Sequence, residues 1–391
     1  MGRRWKNRHN KRHGDNKYRQ VMKLRRIFLS LFLIAGLSSC QNKDSSDNVK
    51  EPVVESGDLT SNKEAGKENV EKFDKVYYNY FDTVTSFTAY AESEEQFKEY
   101  TDILEAELEK YHELFNSYYD FDGVNNIKTI NDNAGKGPVE VDPAIIELIE
   151  YSLDFDEKTD GKINIGLGNV IKMWHDAREE SLDDESKAWV PTKEQLEEAA
   201  SHSDVSQIKI DKENSTVEIL DPDMSIDVGA IGKGFATKKV EEALRKNHVS
   251  TAILSVGGDD AIIGENPNKE NGKWRIAIQN PDLKAENPYS SVVAVNNTAV
   301  VTSGDYQRFY EVDGKRYHHI IDSDTLFPSD YFRSVTVIQN DIALADALST
   351  YLFTVDLERG MEVAKEFDAE VLWIDKDGNQ FKTEGYEKLE D

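Results

Sequence analysis

The sequence predicts an α+β fold, a mixed α/β architecture in which hairpin-linked strands and separately grouped helices share one core. Three observations lead there. Gln207–Asp211 and Thr216–Leu220 alternate apolar and polar residues on either side of Lys212-Glu213-Asn214, as the arms of a hairpin do. Further strand-like runs fall at Ala252–Val256, Trp274–Gln279, Val292–Val295, Ser334–Gln339 and Glu370–Asp375. Helical patterns stand apart from them instead of alternating regularly with strands, which disfavours a doubly wound parallel sheet. No internal repeat is visible.

The helices follow in order. Ser93–Tyr119 places Phe97, Tyr100, Leu104, Tyr111 and Phe115 on one stripe. Asp142 and Pro143 open a second helix as N-cap and first helical residue. The acidic run Asp176–Ser186 reads as a solvated surface insertion, and Phe235–Asn247 as an amphipathic helix. Two more helices are expected at Ile342–Thr354 and Leu357–Phe367.

The N-terminus reads as an address. Met22-Lys-Leu-Arg-Arg is a basic run, Ile27 to Leu37 is apolar, and Leu37-Ser-Ser-Cys40 follows as a lipobox. The apolar run is shorter than the roughly 20 residues of a transmembrane helix. Cys40 is the only cysteine, which excludes an intrachain disulfide and a multi-cysteine metal site. Its position predicts lipidation and, with two or more acyl chains, anchoring on the extracytoplasmic face of the cell membrane. Residues 1–21 carry eight Lys/Arg and one Asp, and we expect Met22 to be the true start. Residues 41–72 are polar and poor in apolar side chains, a flexible tether, and 73–391 form the folded domain. The first 40 residues hold eleven Lys/Arg against one Asp, so removing them takes the net charge from −28 to −38. A surface that acidic argues against nucleic acid as a partner.

Three segments carry the chemistry. Asp227–Gly234 (DVGAIGKG) runs from a strand end through glycines to Lys233 and the Phe235–Asn247 helix. Backbone N–H groups and a helix N-terminus there suit an anion such as phosphate. The spacing matches neither the P-loop nor the dinucleotide fingerprint, and glycines so placed equally serve a tight turn with close packing. Ala345–Thr350 (ADALST) sets Asp346 and Thr350 on one helix face, as a hard-cation ligand pair or as a helix-internal hydrogen bond. His318–Asp322 (HHIID) adds two histidines. Phosphates on so acidic a chain need local dipoles and a cation, for which Mg²⁺ is the expectation and Mn²⁺ the alternative.

Taken in order, these segments resemble the ApbE family of FAD:protein FMN transferases over about residues 76–375. The matching stretches are FDT (Phe81–Thr83), KTIND (Lys128–Asp132), TDGKINIG (Thr159–Gly166), DVGAIGKGFATKKV (Asp227–Val240), SVGGD (Ser255–Asp259), AVVTSGDYQRF (Ala299–Phe309), RYHHIID (Arg316–Asp322) and SVTVI with ADALSTYLF (Ser334–Ile338 and Ala345–Phe353). The resemblance implies a T-fold-like architecture, a central mixed or antiparallel sheet with flanking helices. It also implies the reaction: FAD is split at its pyrophosphate, FMN is joined through phosphate to a Thr or Ser of an acceptor flavoprotein, and AMP leaves.

By matching position, a backbone carbonyl at Ala230 joins Asp346 and Thr350 as metal ligands. His319 becomes the general base, with His318 as runner-up, and Asp305 orients the histidine or serves as base itself. The implied FAD contacts are Phe81, Asp160, Gly161, Asp227, Lys233 and Ile320, with Asn131 and the Asn125-Asn126 pair on the adenine side. There are departures. Ser323 stands where the family has proline and Leu326 where it has glycine, which alters the expected turn after Asp322. Asp82 replaces a common glycine and adds charge near the expected flavin edge. Mg²⁺-dependent FAD hydrolysis and a flavin-carrying lipoprotein are the competing readings.

Overall fold

The computed structural model describes residues 70–391. Cys40, the basic and apolar N-terminal runs and the tether up to residue 69 lie outside the described residues. Among the described residues no helix is long and apolar enough to cross a membrane.

The described residues open with a hairpin, β1 (Glu71–Tyr80) and β2 (Thr83–Ala91). Helix α1 (Glu94–Leu114) starts at Ser93, whose hydroxyl accepts from the Gln96 N–H. It ends earlier than the apolar stripe suggests. Asn116 Oδ1 accepts from the N–H groups of Tyr118 (2.9 Å) and Tyr119 (2.7 Å), an alternative to helical bonding that turns the chain. There follow α2 (Ile127–Asp132) with an Asn126/Thr129 capping box, β3 (Val139–Glu140), and α3 (Pro143–Lys158) behind its Asp142 cap.

Helix α4 (Gly168–Asp183) corrects the reading of Asp176–Ser186 as a loop. The charged residues there cover a helix whose inner stripe, Val170, Trp174, Ala177 and Ser181, is buried. Next come α5 (Lys193–Ala200) and the expected hairpin, β4 (Ile208–Asp211) with β5 (Thr216–Ile219). No strand runs directly into Asp227, contrary to the expected strand end there; Ser225 makes an isolated bridge to Leu167. The later elements are α6 (Gly232–Lys246), β6 (Ala252–Val256), β7 (Asp259–Ile263), β8 (Trp274–Gln279), β9 (Tyr289–Val295), β10 (Ala299–Gly304), β11 (Phe309–Val312), β12 (Lys315–His318), β13 (Phe332–Gln339), α7 (Ile342–Phe353), α8 (Leu357–Glu366), β14 (Glu370–Asp375), β15 (Gln380–Lys382) and α9 (Glu384–Glu387).

Eight strands form one sheet in the order β1-β2-β6-β7-β10-β13-β14-β15, and every pairing in it is antiparallel. Its central strands bury both faces, which is why they read as nearly continuous apolar runs. Val301, Val335, Val337 and Trp373 join the core under the helices, whereas Val300, Ile338, Leu372 and Ile374 pack with Trp274, Ile276 and Val293 of the β8–β9 hairpin. The β6–β7 turn and the N-termini of α6 and α7 meet at the site described next.

Candidate active site

Helix α6 starts beside α7 because Gly234 lacks a side chain. A Cβ there would lie 2.3 Å from Asp346 Cβ and 2.8 Å from the Ile342 carbonyl oxygen. That close approach lets the Gly234 N–H donate to Asp346 Oδ2 at 2.6 Å, a charge-assisted bond in the first turn of α6. The glycine therefore serves packing, and a carboxylate takes up part of the helix N-terminus. Lys233 Nζ lies 3.2 Å from Asp346 Oδ1 and also pairs with Asp259 of the β6–β7 turn. Asp259 and Asp346 are both buried. Burial raises the Asp346 carboxyl pKa and lowers that of Lys233, while each charge favours the other's ionised form.

Two carboxylates facing one ammonium leave a surplus negative charge in a buried place, and their oxygens are hard donors. Thr350 Oγ1 lies 3.5 Å from the Asp346 carbonyl oxygen, one turn along the same face of α7. Ala230 is half-buried two residues before α6. This donor set fits a hard divalent cation. The group whose ligand atoms already converge among the described residues is a different one: His202, Asp221 and Asp223, after α5 and β5, within 4.8 Å of one another.

The two histidines differ. His318 is buried, with Nε2 2.8 Å from the Ser329 carbonyl oxygen and Nδ1 accepting from the Ile320 N–H at 3.2 Å. Both its nitrogens are committed to the backbone. His319 follows β12 and is an exposed residue. Surrounding protein nevertheless strips enough water, with repulsion from Arg308, Arg178 and His318 added, to hold its pKa well below that of an ordinary histidine. Asp305 lies between Arg316 (3.8 Å) and Arg333 (3.7 Å), and its charge acts on His318.

The remaining predicted residues divide into open and committed groups. Asp160 (φ 51°) and Gly161 (φ 79°) form an exposed left-handed turn ending α3, with open space where a Gly161 Cβ would stand. Asp227 accepts from the Gly229 N–H (2.8 Å) and the Tyr118 hydroxyl (3.2 Å), and Tyr118 stacks on His175 at 4.3 Å. Asn131 pairs through its amide with both backbone groups of Ile226, so it places Asp227. Asn125 Nδ2 donates to the Glu140 carbonyl, and Asn126 caps α2. Ile320 uses its N–H on His318 and its carbonyl on Ser329.

Phe81 and Asp82 form the two-residue turn between β1 and β2, both left-handed at φ 51° and 52° with no glycine. A bulky residue such as Phe81 rarely adopts that conformation. Neighbours hold it: His112 Nδ1 accepts from the Phe81 N–H at 3.1 Å, and Arg308 Nη2 donates to the carbonyls of Phe81 (3.3 Å) and Asp82 (3.4 Å).

A family model, the ApbE family, matches residues 81–373, most of the chain. The chain belongs to the ApbE family. It is 33% identical over 265 residues to the FAD:protein FMN transferase of Treponema pallidum (strain Nichols), covering 64% of this chain and 71% of the relative. It is 31% identical over 256 residues to the enzyme of that name from Escherichia coli (strain K12), covering 65% and 71%. The crystal structure of the ApbE protein of Thermotoga maritima superposes with a TM-score of 0.72 at 26% identity, over 82% of this chain and all of that one. The flavin transferase ApbE of Vibrio cholerae shares the fold, with a TM-score of 0.67 at 22% identity over 82% and 99%.

In this ApbE protein Leu326 takes the left-handed conformation itself, at φ 63°, where the family pattern has glycine. Its N–H donates to the Asp322 carbonyl at 2.7 Å and its carbonyl accepts from Trp174 Nε1 at 2.9 Å, so tertiary bonds hold the turn. Sequence reasoning missed Lys162, which ties the TDGK loop to buried Asp322 at 2.5 Å and to Asp324 at 2.7 Å. It also left Asp259, His112 and Arg308 without roles. Asp259 lay within the SVGGD stretch and Arg308 within AVVTSGDYQRF; nothing local marked His112, whose partner Phe81 is distant in sequence.

Proposed function

We propose that this protein is a Mg²⁺-dependent FAD:protein FMN transferase that attaches FMN through a phosphoester to a Thr or Ser of an acceptor flavoprotein and releases AMP. The observation that carries this reading is the buried Asp259–Lys233–Asp346 cluster at the start of α6, with its surplus negative charge and hard oxygen donors. The names of the 33% and 31% identical relatives support it.

Asp346, Thr350 and the Ala230 carbonyl would hold the cation, which neutralises charge on phosphate oxygens when bound. His319 takes the proton of the acceptor hydroxyl, and its lowered pKa keeps the ring neutral and able to accept at pH 7. The hydroxyl oxygen then forms a bond to the phosphorus of the FMN half. The bond from that phosphorus to the bridging oxygen breaks, and the oxygen leaves on AMP. Lys233 faces the phosphates, while the Phe81–Asp82 turn and Asp160–Gly161 offer backbone to the flavin and nucleotide. Asp227, set by Asn131, accepts from ribose or adenine donors. His318 and Asp305 position the loop that carries His319.

Anchoring through Cys40 on the extracytoplasmic face completes the proposal, supported by the lipobox at Leu37–Cys40. Cys40→Ser should release the protein from membranes, and retention there would refute the anchor. The activity test incubates purified protein with FAD and MgCl₂, with and without an acceptor flavoprotein, following AMP and FMN by chromatography and the acceptor by intact mass. AMP with an FMN-sized gain on the acceptor establishes transfer. AMP with free FMN and no gain supports hydrolysis or a wrong acceptor; FAD bound without AMP identifies a carrier.

A further inference from the structure

The loop between α3 and α4 is stapled to a hairpin-like segment 160 residues further along the chain. On the loop side, the Gly161 N–H donates to the Asp156 carbonyl at 2.9 Å and the Lys162 N–H to the Thr159 carbonyl at 3.0 Å, which fixes the Asp160–Gly161 turn on the end of α3. The opposing segment runs from Ile320 to Ser329. The Ser329 N–H donates to the Ile320 carbonyl, Ile321 bridges Pro328, and the Asp322 N–H donates to the Phe327 carbonyl. Its base is tied to the end of α7 by the Ser329 hydroxyl, which donates to the Phe353 carbonyl at 2.7 Å. Its tip meets Lys162, whose Nζ lies 2.5 Å from Asp322 Oδ1 and 2.7 Å from Asp324 Oδ2.

The two pairs are unequal. The Asp324 side chain is 79% exposed, and an ion pair in water contributes little. The Lys162 and Asp322 side chains are 11% and 7% exposed, so this pair sits in a nearly dry place. Desolvation offsets most of the attraction in such a pair; what it supplies is a fixed register between the two elements it joins. Those elements carry Asp160 and Gly161 on one side and Ile320, next to His319, on the other, the residues through which the family resemblance implies contact with FAD. Trp174 holds Leu326 and Phe327 against α4 and so does not set the segment against the Asp160–Gly161 turn. We propose that Lys162 is a positioning residue that, through Asp322, sets the separation of the two walls that grip FAD. This rests on the FMN-transfer reading above.

The test is equilibrium binding of FAD, followed by flavin fluorescence, together with Tm, for the protein and its Lys162→Arg, Lys162→Met, Asp322→Asn and Lys162→Met/Asp322→Asn variants. Met keeps most of the stem and removes the charge; Asn keeps an acceptor for the Asp324 N–H, 2.9 Å from Asp322 Oδ1. Lys162→Met and Asp322→Asn should each weaken FAD by roughly tenfold, the scale of one displaced hydrogen bond. The double variant should bind FAD about as weakly as either single, since both cut one tie, while its Tm recovers relative to Lys162→Met because no lone charge stays buried. Lys162→Arg should stay within about threefold of the parent. Unchanged FAD affinity in Lys162→Met, or affinity that returns with Tm in the double variant, would overturn the proposal. So would tight FAD binding by Asp322→Asn, which would make Lys162 a direct FAD ligand, and an Arg variant as weak as Met. Parent protein that does not bind FAD would overturn the functional reading itself, and this proposal with it.

Discussion

Gly234→Ala tests whether the approach of α6 to α7 is as tight as the geometry requires. In an open helix the change would stabilise by about 1 kcal/mol, because alanine is the better helix former. Here the new methyl would stand 2.3 Å from Asp346 Cβ, 2.8 Å from the Ile342 carbonyl oxygen and 2.9 Å from Asp346 Oδ2. Two of these are a helix backbone atom and a Cβ, which cannot swing aside as a side-chain tip can. Overpacking of this kind costs about 1–3 kcal/mol. Separating the helices also weakens the 2.6 Å bond from the Gly234 N–H to the carboxylate, worth about 1.5–3 kcal/mol. Less the propensity gain, the net loss is about 1.5–5 kcal/mol. At about 2.1 cal/mol/K per residue the described part has an unfolding entropy of roughly 0.7 kcal/mol/K, so Tm should fall by about 2–7 °C. Gly232→Ala is the matched control, since its nearest neighbour is the Val228 Cγ2 methyl at 3.3 Å. Differential scanning calorimetry of both variants decides it. A Gly234→Ala protein that melts at or above the parent temperature would refute the packing argument, because helix propensity alone would then have won.

Asp346→Asn keeps an acceptor for the Gly234 N–H and removes the charge facing Lys233; AMP formation should lose its Mg²⁺ dependence and fall by roughly two orders of magnitude or more. Unchanged Mg²⁺ titration curves would sink the ligand assignment. His319→Ala should slow transfer by roughly 10²–10⁴-fold, and the parent's kcat/KM should stay flat down to below about pH 6.5, since the depressed pKa keeps the ring neutral there. An acid limb at or above pH 7 contradicts that role. Burial lowers the pKa of His112, so the unfolded chain binds the extra proton first; stability from this group is whole above about pH 6.5 and is lost as pH falls toward the folded-state value. Denaturant melts between pH 7 and 5.5 should show a steeper loss for the parent than for His112→Gln, and identical slopes would dismiss His112 as the neutral acceptor of the Phe81 N–H.

Part of the site could be read from local pattern. The helix of Asp346 and Thr350, the helix that carries Lys233 and the β4–β5 hairpin are each legible in the local run of residues. Where local pattern failed, a tertiary bond or a buried stripe had won. The Asn116 side chain ends α1 early, and buried Trp174, Ala177 and Ser181 keep the acidic run helical. Leu326 and Phe81 occupy backbone conformations that their residue types disfavour, because Trp174, His112 and Arg308 hold them there. No propensity scale anticipates this, since the restraining groups belong to other segments.

The sequence by itself determined the family, the class of fold and the ordered set of residues from which a flavin-transfer site can be assembled. Those follow from periodicity, capping and motif order, which are properties of neighbouring residues. Only the tertiary structure decided the division of labour among them. It committed His318 to the backbone and left His319 at the surface, and it spent Asn131 on placing Asp227. It also set Asp259 beside Asp346 around one lysine and brought Arg308 to the Phe81–Asp82 turn. The physical reason is that burial, charge pairing and hydrogen-bond satisfaction are fixed by residues far apart in the chain, and these settle which donors are free to do chemistry.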